Sequence, residues 1–303
     1  MARKPETLKF LDTIIEHPAF GEALDAIRRA HATSGYKPKG TIIYGDSGVG
    51  KTTLINEYLL EFPRVEEPGR TRIPVIKIEV DSAQNVKTIT EEILNALEVP
   101  FGPRTKQNDL FALMCRAFRD LGVELIFFDE FQEVLPQKTK DYPHIMRFIK
   151  RAMNETNVPW VLVGTDQTKT VQEFQDANQS IRRFCGAYRL KPFSIRTREG
   201  LDDFQIYLSL LIDELPFKCQ NLKEETNLKR IYCATLGIPG FVSNLFEQLL
   251  ELHEFDQPVT LEVMGEAHRR AFIGSGDTKA GAFMTQNPFA LRASQIDAIT
   301  GSM

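Results

Sequence analysis

Thr41-Ile42-Ile43-Tyr44-Gly45-Asp46-Ser47-Gly48-Val49-Gly50-Lys51-Thr52-Thr53 decides the reading of this chain. A short apolar run leads into a glycine-rich turn, and a helical run from Lys51 to about Leu60 follows at once. Gly45 to Thr52 fits the pattern G-x-x-x-x-G-K-[ST] in full, in the strand–turn–helix setting the pattern requires. The glycines let the backbone curl so that successive N–H groups point inward, and with the helix N-terminus they make a phosphate cradle. Gly45, Asp46, Ser47, Gly48, Val49, Gly50, Lys51, Thr52 and Thr53 are therefore the expected nucleotide-binding residues. Lys51 is expected at the β- and γ-phosphates of ATP, and the Thr52 hydroxyl at Mg²⁺.

The second half of such a site is Leu125-Ile126-Phe127-Phe128-Asp129-Glu130. Four apolar residues make a buried strand that ends in two acids at the sheet edge. Asp129 is expected in the Mg²⁺ shell, and Glu130 as the base that takes a proton from the attacking water. Proteins that hold ATP without cleaving it usually lack that glutamate, so its presence favours hydrolysis.

Outward from these two stretches, strands and helices alternate. Val75–Val80, Trp160–Val163 and Ala187–Leu190 read as strands. Val86–Leu97, Asp109–Leu121, Tyr142–Met153 and Thr168–Gln175 read as helices. This order implies an α/β fold, a parallel sheet flanked by helices. Before it, Leu8–Ala32 has helical spacing, divided at Pro18. After Pro192 only helices are expected: Asp202–Leu215, Leu222–Leu236, Phe241–His253 and Leu261–Phe272. The expected organisation is an N-terminal helical segment over 1–39, an α/β core over 40–192, a small helical lid domain over 193–273 and a flexible tail over 274–303. The tail follows from its Gly, Ala, Ser and Thr content.

The bulk composition restricts the function classes. The 303 residues are 42% hydrophobic and 26% charged, ordinary for a globular chain. No apolar run approaches the ~18 residues that cross a bilayer. Met1-Ala2-Arg3-Lys4-Pro5-Glu6 does not begin a signal peptide, so a cytoplasmic location is expected and no membrane partner. Cys115, Cys185, Cys219 and Cys233 are widely spaced, with no Cys-x-x-Cys pair, so reduced and mostly packed thiols are expected. A net charge of −4 excludes a chain coated in positive charge, though not a local basic stripe.

The order of motifs resembles the AAA+ ATPases. Trp160-Val161-Leu162-Val163-Gly164-Thr165-Asp166 is similar to the sensor-1 strand, which implies that Thr165 and Asp166 help to orient the lytic water. Gln179-Ser180-Ile181-Arg182-Arg183-Phe184 is similar to the arginine-finger segment, which implies that Arg183, with Arg182 as the alternative, acts on a neighbouring subunit's ATP. More narrowly, Tyr44 to Thr53, Phe128-Asp129-Glu130, Leu162 to Asp166 and Arg182-Arg183-Phe184 are together similar to the TniB/TnsC transposition regulators, over roughly residues 8 to 272. That resemblance implies a homo-oligomer, a ring or helical filament, on double-stranded DNA. It also implies recruitment of a transposase, with a TniQ-like targeting protein beside it. One departure stands out. The turn Gly237-Ile238-Pro239-Gly240 and the helix start Phe241-Val242-Ser243-Asn244-Leu245 lack the arginine that AAA+ lids often carry there, which puts slow hydrolysis among the expectations.

Two segments are locally basic: Arg104 and Lys106, leading towards Arg116 and Arg119, and Lys138, Lys140, Arg147, Lys150 and Arg151. Arg147, Lys150 and Arg151 are spaced to share a helix face. A polymer that repeats a few weak phosphate contacts binds DNA through multivalency, without base preference. Two other readings stand beside this one: a replication-initiation or helicase-loading ATPase, which shares every ATP motif, and a signalling or defence ATPase that acts on protein partners. An appended winged helix would mark the first, and a nucleotide-dependent DNA gel shift separates the second.

Overall fold

Leu125–Phe128 and Trp160–Val163 carry almost no polar atoms, and each becomes a strand buried on both faces. The computed structural model describes residues 3–79, 85–135, 142–177, 183–217, 219–253, 257–272 and 286–301. The chain divides into two compact units: residues 19–190, and residues 1–18 together with 191–303. It opens with α1 (Pro5–Leu11) and α2 (Pro18–His31), the helical run being broken before Pro18.

The unit of residues 19–190 is built on a parallel sheet. Its elements are β1 (Gly40–Tyr44), α3 (Lys51–Glu61), β2 (Val65–Glu67), β3 (Arg70–Arg72), β4 (Val75–Glu79), α4 (Val86–Ala96), α5 (Gln107–Leu121), β5 (Leu125–Asp129), α6 (Tyr142–Thr156), β6 (Trp160–Gly164), α7 (Thr170–Ala177) and β7 (Phe184–Arg189). Five strands lie in the order β4-β5-β6-β1-β7, all parallel. The period of two along each strand sorts its side chains. Ile42, Ile76, Ile78, Ile126, Phe128 and Leu162 pack with α4, α5 and α6. Ile43, Val75, Leu125, Phe127, Val161 and Val163 pack with α2 and α3 on the other face. In open parallel sheets, ligands bind outside the carboxyl ends of the strands. Gly45, Glu130 and Thr165 follow directly on the ends of β1, β5 and β6.

Some boundaries differ from the sequence expectation. β7 begins at Phe184 rather than Ala187, because Gln175 Oε1 accepts from the N–H groups of Arg183 (2.7 Å) and Phe184 (3.0 Å) and the Phe184 ring is buried. α7 begins at Thr170, after a separate 3₁₀ turn over Asp166–Lys169. The antiparallel pair β2–β3 has no counterpart in the expectation.

The other unit contains α1, α8 (Arg198–Asp213), α9 (Glu225–Thr235), α10 (Pro239–Leu252), α11 (Leu261–Phe272) and α12 (Ala293–Gly301). α8 starts earlier than expected because the Thr197 side chain caps it, accepting from Gly200 N–H at 3.1 Å. α9 starts later, behind a 3₁₀ turn over Gln220–Lys223. α1 docks on α10: Lys4 Nζ donates to the carbonyls of Leu250 (2.7 Å) and His253 (3.0 Å), and Thr7 Oγ1 to Glu251 at 2.6 Å. The expected N-terminal segment is thus split, with α1 on the helical unit and the apolar face of α2 in the sheet core.

The expected flexible tail is corrected over its described part. Phe289 and Ile296 are buried, and the buried Arg230 of α9 donates from Nη1 to the carbonyls of Pro288 and Leu291. Phe289 and Ile296 remove apolar surface from water, and the Arg230 guanidinium satisfies two carbonyls, so this stretch packs on α9 rather than trailing free. Residues 273–285 lie outside the described residues.

Candidate nucleotide site

β1 delivers the chain to Gly45, whose N–H donates to the carbonyl of Gly164 at 3.1 Å. A Cβ at Gly45 would lie 2.2 Å from the Leu190 carbonyl oxygen, so only glycine fits. Gly50, at φ 97°, is the N-cap of α3 and provides no side-chain cap. The first N–H groups of α3 therefore have no partner within the helix and stand ready for an anion. Val49 is buried and anchors the loop, while Asp46, Ser47, Gly48, Thr52 and Thr53 face outward. Lys51 is 7% exposed, and its Nζ donates to the carbonyls of Gly45 (2.9 Å) and Asp46 (2.8 Å). Burial lowers its pKa, against the pull of Glu130, Asp129, Asp46 and Asp166. An amine held by carbonyls alone, facing four acids, is poised to exchange those carbonyls for phosphate oxygens.

Asp129 ends β5, only 2% exposed, and makes an ion pair with Lys77 Nζ of β4 at 2.9 Å. Burial by itself would lower the Lys77 pKa, but Asp129 and Glu79 raise it above the ordinary lysine value. Asp129 Oδ1 also accepts from Glu130 N–H at 2.9 Å. Glu130 sits at φ 47°, in the left-handed region that non-glycine residues seldom occupy.

Gln132, absent from the sequence expectation, ties the strand ends together. Its Nε2 donates to Glu130 Oε2, and its Oε1 accepts from Thr165 N–H at 3.0 Å. Gly164 makes room for this bridge, since a Cβ there would lie 2.3 Å from Gln132 Oε1 and 2.4 Å from Thr168 Oγ1. Arg189 is the second residue the sequence reading missed. Its Nη2 reaches Asp166 Oδ2 at 3.0 Å and Asp46 Oδ2 at 3.8 Å, joining the first loop to the turn after β6. No motif announces either residue, because Thr165 lies 33 positions from Gln132 and Asp166 lies 23 from Arg189.

Among the described residues no three His, Cys, Asp or Glu side chains cluster to hold a metal by themselves. Thr52 and Asp129 nevertheless fit Mg²⁺. Both offer hard oxygen donors, and this ion usually takes one or two protein ligands and completes its shell with phosphate oxygens and water.

Arg183 lies at the other end of the sheet. Its carbonyl accepts from Gly40 N–H at 2.9 Å, where β1 begins, whereas the glycine loop starts where β1 ends. Five residues at about 3.3 Å each put roughly 16 Å between them. The Arg183 guanidinium donates to Asn154 Oδ1 from Nη2 at 2.8 Å. Arg182, Lys138 and Lys140 lie outside the described residues. Of the other basic candidates, Arg104, Lys106, Arg147 and Arg151 are exposed and Lys150 is half-buried. Arg151 stacks over the Phe111 ring of α5, 4.1 Å from its centre, so part of its role is packing between α5 and α6.

Among the described residues no helix is long and apolar enough to cross a membrane. Solved structures share the fold. The Aeropyrum pernix ORC2 protein, solved in ADPNP–ADP complexes, has 14% identity, with 89% of this chain and 73% of that chain covered and a TM-score of 0.58. Cdc6p from Pyrobaculum aerophilum has 11% identity, 97% of each chain covered and a TM-score of 0.54. The Aeropyrum pernix ORC1 protein, solved in complex with DNA, has 14% identity, 88% and 69% covered and a TM-score of 0.55. At such identities the likeness establishes the fold, an AAA+ P-loop NTPase fold with a C-terminal helical region. No curated protein matches the sequence. The sequence profile of the bacterial TniB protein matches residues 10–194, more than half of the chain. On that match, borne on this fold, the chain belongs to the TniB family.

Proposed function

We propose that this protein is an ATP-dependent, DNA-binding regulator of transposition. In this reading it binds ATP with Mg²⁺, oligomerises on duplex DNA as a ring or filament, and recruits a transposase beside a TniQ-like partner in the cytoplasm. Hydrolysis drives disassembly. The observation that carries the reading is the convergence of Lys51, Asp129 and the Glu130–Gln132–Thr165 bridge on an uncapped helix N-terminus, in a TniB-family chain. The solved relative in complex with DNA supports the DNA part by analogy of fold.

In this mechanism the loop N–H groups and Lys51 hold the phosphates, and Thr52 and Asp129 hold Mg²⁺. The ion, when bound, draws charge from the phosphate oxygens. Glu130 accepts the proton of the attacking water, and Thr165 and Asp166 border the space in which that water is oriented. Gln132 is a positioning residue, since it fixes the Glu130 carboxylate against the Thr165 backbone. Gln132→Ala should lower turnover by about 10- to 100-fold with nucleotide affinity retained, the usual scale for a base displaced by about 1 Å. Steady-state hydrolysis alongside titration with a fluorescent ATP analogue separates the two quantities. Weakened affinity with unchanged turnover would mean that Gln132 serves binding instead.

Arg183, far along β1 from its own loop, acts on the nucleotide of a second copy. Mixing Arg183→Ala with Lys51→Ala protein should restore part of the ATPase activity that each lacks alone, because one interface then joins an intact loop to an intact arginine. Electron microscopy with ATP and duplex DNA checks the assembly itself. Hydrolysis at full rate by dilute, monomeric protein would exclude the in-trans role.

A further inference from the structure

The C-terminal half of α2 covers the sheet where β1 begins. Between them lies a cleft of about 280 Å³, lined by Arg29 and Ala30 of α2, by Lys39 and Thr41, and by Cys185 and Tyr188 of β7. Thr41 is on the face of β1 that carries Ile43, the side covered by α2. The residue is 2% exposed, and its hydroxyl has no hydrogen-bond partner. A buried hydroxyl left unpaired costs stability, so one that lines a cleft marks a position for a polar ligand atom.

The charge of the wall says which kind of atom. No aspartate or glutamate lines the cleft, on a chain whose net charge is −4. Among the described residues neither Arg29 nor Lys39 pairs with a carboxylate, whereas Arg28 beside them does, with Glu61 at 2.8 Å. Arg29 is oriented by Tyr188 instead. Its Nη2 donates to the phenol oxygen at 3.1 Å, and its Cζ lies 5.8 Å from the ring centre. That bond uses one N–H of a fork whose geometry matches phosphate oxygens, and Lys39 adds a point charge.

Shape then selects among phosphates. An internal phosphodiester carries chain on both sides, which keeps its oxygens away from a hydroxyl buried under a helix. A terminal phosphate has a single ester bond and enters end-on. An adjoining cleft of about 610 Å³ shares Lys39 and Cys185, and leaves room for the body of the ester. The glycine loop follows the other end of β1. Four residues at about 3.3 Å each put roughly 13 Å between Thr41 and Gly45, so the phosphates of a nucleotide in the loop do not fill this position.

We propose that the cleft between α2 and β7 binds the terminal phosphate of a small phosphate monoester, with Thr41, Arg29 and Lys39 as its donors. The site needs neither ATP nor a second copy of the chain.

Cys185 on the cleft wall is the reporter. It is the exposed cysteine of the four, while burial raises the pKa of Cys115 and pushes Cys219 and Cys233 up to about 11. Alkylation by a maleimide therefore reads the cleft selectively. The probe is ribose 5-phosphate, added to dilute full-length protein without ATP. At about ten times its Kd it should slow Cys185 labelling about tenfold, and the concentration dependence gives that Kd. Thr41→Val keeps the shape of the side chain and removes the hydroxyl alone. It should raise the Kd about tenfold, the scale of one hydrogen bond to a charged group, while the urea-unfolding midpoint stays equal or rises. Arg29→Gln with Lys39→Gln, both exposed positions, should abolish protection in a protein that unfolds at the native midpoint. Ribose, which lacks the phosphate, and dimethyl phosphate, a diester, should leave labelling unchanged. No protection by ribose 5-phosphate would overturn the proposal. So would protection that both variants retain in full, which would place the ligand elsewhere. Equal protection by ribose would mean that the phosphate is not what is recognised. Equal protection by dimethyl phosphate would make the cleft a diester site, which overturns the proposal as well.

Discussion

Lys51→Ala should bind ATP roughly 100-fold more weakly than the native chain. One charge-assisted hydrogen bond to phosphate is worth up to about 3 kcal/mol, and Lys51 supplies the charge inside the loop itself. Its Nζ is held by the carbonyls of Gly45 and Asp46, so it already points across the loop rather than into solvent. The loss is therefore of a preorganised contact. The fold should survive, because burial already disfavours the charge on this lysine and alanine removes that cost. Titration with a fluorescent ATP analogue measures the effect. Affinity within a factor of a few of the native value would remove Lys51 from the site.

Glu130→Gln should do the reverse, binding ATP normally while turnover falls by about 10³-fold, within the range that general-base catalysis contributes. The side chain keeps its shape, and the new carboxamide oxygen can accept the same bond from Gln132 Nε2. Asp129 and its Lys77 partner are untouched, so the metal-holding end of β5 stays in place. What is lost is the ability to take a proton from water. The clean readout is phosphate release in single turnover beside the dissociation constant. Turnover equal to that of the native chain would assign the base elsewhere, and a parallel loss of binding would assign Glu130 to the nucleotide rather than to the water.

The parts of this molecule that were legible in its sequence share a physical property, which is locality. The glycine loop is contiguous, so its motif and its structure are the same object. β5 and β6 are apolar throughout because both faces are covered, and composition alone reveals them. The polar pair β2–β3 is exposed on most of its length and leaves no apolar pattern to read. α12 contributes a single buried isoleucine, which periodicity cannot detect. Gln132 could not be read at all. It connects Glu130 to Thr165, 33 positions away from it, and only the register of β5 beside β6 brings them together. The same holds for Arg189, whose reach to Asp46 and Asp166 follows from β7 lying next to β1.

The docking of α1 on α10 also bears on biosynthesis. Lys4 and Glu251, joined by a hydrogen bond, are 247 positions apart. The ribosome makes the second of these 247 residues after the first. All the strands of the sheet are complete by residue 189, so that unit can close while the remaining chain is still being added. α1, with the apolar side of Phe10 and Leu11, must wait for the whole interval without its partner. The unit of residues 19–190 thus matures before the helical unit. Protease challenge of stalled nascent chains would show protection of residues 19–190 before that of residues 5–11.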